Sequence, residues 1–144
     1  MNFETGKKVL RIAGILTIIG GVFSLLLAAL GIFGGGAAAS NPGIEADTEL
    51  QQTAGMAIAA GLIFLLVALL SLVEGIVCYR AGKNGRRKTA TAAMFLAVLS
   101  TIVNISNHLR AASQGSSIAS AIFSVALNVL VIYAAYVVRK NAEA

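Results

Sequence analysis

The chain has 144 residues, of which 58% are apolar and only 12% charged, with a net charge of +5. A soluble domain carries about 25% charged residues, and four helices apolar all round would leave too little polar surface to cover a water-soluble core. The composition therefore argues against a soluble globular fold and for a single polytopic membrane domain over 1–144.

The placement of the charge argues against nucleic acid as a partner. Lys7, Lys8 and Arg11 precede the first apolar run; Arg80, Lys83, Arg86, Arg87 and Lys88 separate the second from the third; Arg139 and Lys140 follow the fourth. Arg110 alone breaks the alternation. Basic residues at alternate ends are the positive-inside pattern, so both termini are expected in the cytoplasm. The expected location is the plasma (inner) membrane of a bacterium, as a multi-pass protein. Cys78 is the only cysteine and His108 the only histidine. An intrachain disulfide, a cysteine-based metal site and a multi-histidine site are thereby excluded within one chain, and no cofactor or metal is expected.

The first span is read over about 9–33. Its run from Ile12 to Phe33 exceeds the apolar core of a signal peptide, so an uncleaved span is expected despite the Ala37-Ala38-Ala39 stretch. Gly14, Thr17, Gly21, Ser24, Ala28 and Gly31 recur in steps of three and four, with Gly20 beside them. In lipid, helices associate by close packing, so such a stripe predicts a seam for a neighbouring helix. An outer loop is expected over 34–52. Gly34-Gly35-Gly36 reads as a helix stop, Asn41-Pro42-Gly43 as a turn, and Thr48 with Gln51 as a capping box opening the next helix. Glu45, Asp47 and Glu49 make this loop acidic but lack the EF-hand pattern, so they read as solvated carboxylates.

The second span, 54–79, has one charge, Glu74. Ala54, Ala57, Gly61, Ala68, Ser71, Gly75 and Cys78 share a heptad face with it, interrupted by Phe64. The inner loop 80–88 is a basic turn whose residues set topology and can hold anionic headgroups of the inner leaflet. The third span, 89–108, carries Ala90, Ala93, Ala97, Ser100, Asn104 and Asn107 on one face. After an outer loop at 109–117, Ser117 caps the fourth span, 118–138, whose stripe is Ser117, Ala121, Ser124, Asn128 and Ala135. Short connections and four seams with a period near 3.5 predict an antiparallel up-down four-helix bundle with a left-handed supercoil.

Two clusters stand out by depth. At 1.5 Å per residue, Glu74 lies roughly 10 Å inward of its span midpoint, and Thr91, Tyr136 and Arg11 are expected at a similar level. One reading makes Glu74 and Arg11 a structural ion pair fixing register; the other makes Glu74 a proton or cation site for transport. The second cluster is Ser100, Asn104, Asn107 and His108, with Ser120 and Ser124 at similar height and Asn128 near the centre. It reads either as a polar pocket open to the outside or as interhelical hydrogen bonds. No nucleophile–histidine–acid set is present, because His108 lies opposite Cys78 across the membrane. The triglycine precedes no phosphate-loop lysine, and Asn104-Ile105-Ser106 lies within a span, so neither is read as a motif.

The layout, four spans with a longer first outer loop, is similar to that of tetraspan proteins generally, although the outer-loop cysteines of such families are missing. Layout does not fix function. The expectation is a non-enzymatic membrane protein acting through the packing seams Gly14, Gly21, Ser24, Gly31, Gly61, Ser71 and Gly75, as a homo-oligomer or as an accessory subunit of a membrane complex. The alternative is a small proton- or cation-coupled transporter or channel using Glu74.

Overall fold

Apolar runs of this length leave the backbone no solvent to bond with inside a bilayer, and a helix satisfies every such group within its own segment. In the computed structural model the described residues form four helices and no strand: α1 (Phe3–Ala39), α2 (Thr48–Asn84), α3 (Arg87–Ala112) and α4 (Ile118–Asn141). The structure describes the backbone of residues 1–41, 48–112 and 118–142, and the side chains of these apart from 107–112 and 118–121. All four helices are long and apolar enough to cross a membrane.

The helices run further than the apolar runs. The triglycine does not end α1, which continues to Ala39. The reason is packing: a Cβ on Gly35 would lie 2.9 Å from the Ala54 carbonyl oxygen and 2.9 Å from the Ile58 side chain. Gly35 is thus a close-approach position, not a stop. Helix α2 begins at Thr48, and the turn read at Asn41-Pro42-Gly43 lies outside the described residues from Pro42 onward, as do Glu45 and Asp47. The basic stretch 80–88 is mostly helical. Its connection shrinks to Gly85 and Arg86, with Gly85 at a φ of 62° and its N–H bonded to the Ala81 carbonyl at 2.9 Å. A left-handed residue closing a helix in this way is most often glycine. Ser117 lies outside the described residues.

The chain divides into two compact units, residues 1–18 with 71–144, and residues 19–70. The first has a core drawn from all four helices: Leu10 and Ala13 of α1, Cys78 and Ala81 of α2, Ala90, Ala93 and Ala97 of α3, and Val131, Ala134, Ala135 and Val138 of α4. Alanine dominates it, and small side chains let the helices sit close. Here α1 and α2 run antiparallel, because Gly82 meets Lys7 and Arg11 while Gly75 meets Gly14 and Ile18. The second unit is a pair of antiparallel helical segments in which Gly61 meets Ala28 and Ile32, and Gly35 meets Ala54 and Ile58. In both units most large apolar side chains point outward. Leu30 is 71% exposed and Phe123 72%, while Ala68, Ala93 and Ala134 are fully buried.

Candidate functional site

Helix periodicity puts Ser71, Glu74 and Cys78 on one face of α2, and Glu74 and Cys78 are buried. Glu74 is only 3% exposed. On α3 the buried line Ala90, Ala93, Ala97 continues in the same three- and four-residue steps to Ser100, which is also buried. The Ser100 hydroxyl donates a hydrogen bond to Oε2 of Glu74. A residue of the expected outer cluster is therefore the partner of the expected inner-leaflet carboxylate.

The two-residue connection explains this. Counting from the turn, Glu74 lies ten residues back from Asn84 along α2 and Ser100 thirteen residues on from Arg87 along α3. The span midpoints gave a different register because both helices extend past their apolar runs into the basic stretch.

The structure does not bring Arg11, Thr91 and Tyr136 against Glu74. Arg11 is exposed and its Nε donates to the Gly82 carbonyl at 2.9 Å. Thr91 is exposed, with its hydroxyl donating to the Arg87 carbonyl one turn back at 2.9 Å. Tyr136 is 49% exposed. Lys7 pairs with Glu4 at 3.1 Å, and no cationic side chain among the described residues pairs with Glu74. Long basic side chains reach water at a helix end more cheaply than they enter an apolar core.

Of the remaining polar residues, Asn128 is 7% exposed and its Nδ2 has no hydrogen-bond partner. Asn104 and Ser124 are half-buried. The side chains of Asn107, His108 and Ser120 lie outside the described residues. Among the described residues no three His, Cys, Asp or Glu side chains gather as a metal site.

The packing residues are placed as follows. Gly14, Gly21, Gly61 and Gly75 are buried, and Ser24, Gly31 and Ser71 are half-buried. A Cβ on Gly14 would lie 2.6 Å from the Tyr79 backbone nitrogen and 2.7 Å from the Gly75 carbonyl oxygen, and one on Gly31 would lie 2.9 Å from the Gly61 Cα. Gly20 does not belong with them, since a Cβ there would meet nothing within 4 Å. Arg80, Lys83, Arg86, Arg87 and Lys88 are all exposed. Sequence reading left Arg139 and Lys140 as topology signals alone, whereas they line a pocket with Arg87 and Tyr136. The available signal was the basic pair closing one apolar run and the basic stretch opening another.

No protein-family model matches this chain, and no curated protein and no solved structure matches it. Its four apolar helices and outward-facing large side chains fit a multi-pass membrane protein.

Proposed function

We propose that the chain is a non-enzymatic four-span membrane protein that acts through helix packing, as a homo-oligomer or as an accessory subunit of a membrane complex. In this reading the spans form a left-handed antiparallel bundle in the plasma membrane, with both termini cytoplasmic and the basic residues near anionic inner-leaflet headgroups. The observation that carries it is a pair of glycines on α1 against which no described residue packs. Gly20 and Gly34 lie fourteen residues apart, two heptads, and a Cβ on either would meet nothing within 4 Å. Each opens a notch on the outward face of α1, with the exposed Leu27 midway between them, where a further helix can approach. Native mass spectrometry of the chain extracted in mild detergent tests this. A self-associated species or a stoichiometric membrane partner is expected, and Gly20→Leu with Gly34→Leu should dissociate it. A strictly single chain, unchanged by these substitutions, would overturn the reading.

A second reading, a proton- or cation-coupled transporter, is favoured by a different observation. Glu74 is buried beside a hydroxyl and has no cationic partner among the described residues. Asn128 stands near the same height. Arg87 of α3 and Arg139 of α4 line one pocket; Ser100 is thirteen residues on from Arg87 and Asn128 eleven back from Arg139. At 1.5 Å per residue the two levels agree within about 3 Å. Proton flux into proteoliposomes that Glu74→Gln abolishes without loss of folding would move this reading to first place.

A further inference from the structure

Where α3 begins and α4 ends, Arg87, Tyr136, Arg139, Lys140 and Ala142 line an open pocket of about 330 Å³. Tyr136, Arg139 and Lys140 share one face of α4 through i+3 and i+4 spacing, and Arg87 is the first residue of α3. Three cationic side chains from two helices thus converge on one cavity, and among the described residues that line it there is no carboxylate. Such a gathering raises the local positive potential and favours an anion within it. The rest of the lining suits an oxyanion: two guanidinium forks match phosphate oxygens in bidentate fashion, a phenol hydroxyl can donate, and the start of a helix favours negative charge.

We propose that this pocket binds a phosphate monoester, presented as the headgroup of an anionic lipid. A monoester carries close to two negative charges near neutral pH, against one for a diester, and so answers three cations better. Its lipid presentation follows from position. Arg139 and Lys140 terminate an apolar span, and Tyr136 stands one turn inside, where aromatic side chains meet the headgroup layer. The site is distinct from Glu74 and from the α1 glycines, and holds whichever way those act.

The test is native mass spectrometry of the full chain in detergent micelles, titrated in parallel with phosphatidic acid, phosphatidylglycerol and phosphatidylcholine. Phosphatidic acid should bind most tightly. Arg87→Gln, Arg139→Gln and Lys140→Gln should each weaken it by about fivefold, and Tyr136→Phe should weaken it less. Arg110→Gln, an equal charge change near the far end of α3, should leave it intact. Unfolding midpoints keep loss of binding separate from loss of fold. Glycerol 3-phosphate, added as a soluble competitor, should fail to displace the lipid at equal concentration. Displacement would assign the pocket to a soluble phosphate ester and overturn the lipid presentation. No preference for the monoester, or an equal loss in Arg110→Gln, would overturn the site itself.

Discussion

A carboxylate removed from water needs partners, and Glu74 takes its hydrogen bond from Ser100 while Arg11 turns to the Gly82 carbonyl. Removing a hydrogen-bond donor from a buried acceptor costs about 1–3 kcal/mol, so Ser100→Ala should destabilise the protein by that order in detergent unfolding. Glutamine at position 74 keeps an acceptor and removes the charge. Ser100→Ala should therefore cost less in a Glu74→Gln background, and the double-mutant cycle should show coupling of about 0.5–3 kcal/mol. The same cycle run with Arg11→Gln should be additive with Glu74→Gln. Coupling to Arg11 and none to Ser100 would restore the ion pair that the sequence alone invited. That Glu74 faces inward was legible from its heptad companions Ser71 and Cys78. Its partner was not, because partner choice depends on register, and register depends on a turn of only two residues whose place was hidden within RAGKNGRRK.

At the scale of the helix, the glycines of α1 and α2 divide into two kinds that composition cannot separate. Gly14 and Gly31 stand where a Cβ would press on the facing backbone, whereas Gly55 meets nothing within 4 Å. Overpacking costs typically 1–3 kcal/mol, and replacing an open helical glycine by alanine gains up to about 1 kcal/mol. Gly14→Ala and Gly31→Ala should accordingly lower the thermal midpoint in detergent, and Gly55→Ala should hold or raise it. Three midpoints moving together would mean that the close approach at the α1–α2 contact is absent. The heptad rhythm of small residues is visible in the sequence, and the structure puts backbone against backbone at Gly14–Gly75 and Gly31–Gly61. The rhythm sets Gly21 on the seam and Gly20 beside it, and the first is buried and the second open, but the rhythm could not show that no described residue lies against Gly20. It also could not show that Gly34-Gly35-Gly36 continues a helix, since a glycine run stops a helix in water but serves as a contact when another backbone lies against it.

For the molecule as a whole, the distribution of side-chain size is inverted relative to a water-soluble protein. Alanines dominate the core while most Leu, Ile and Phe side chains face outward, which is stable only where the surroundings are as apolar as the surface. Charge then decides orientation. In the unit formed by residues 1–18 and 71–144, Gly6 meets Ala134 and Val138, Gly85 meets Phe3 and Lys7, and Arg87 lines a pocket with Arg139. The start of α1, the α2–α3 turn and the end of α4 therefore gather at one end of that unit, and the basic residues of all three gather with them. Basic residues are retained on the cytoplasmic side, so this end is expected inside and Asn41, beyond the far end of α1, outside. Both Lys83 and Asn41 are exposed and suit cysteine labelling in a Cys78→Ser background. A membrane-impermeant maleimide applied to intact cells should modify Asn41→Cys and spare Lys83→Cys and Lys140→Cys until the cells are opened. Protection of Asn41→Cys with labelling of the other two would reverse the orientation. Labelling of Lys83→Cys but not Lys140→Cys would break the shared end, and with it the convergence of α3 and α4 on which the basic pocket depends.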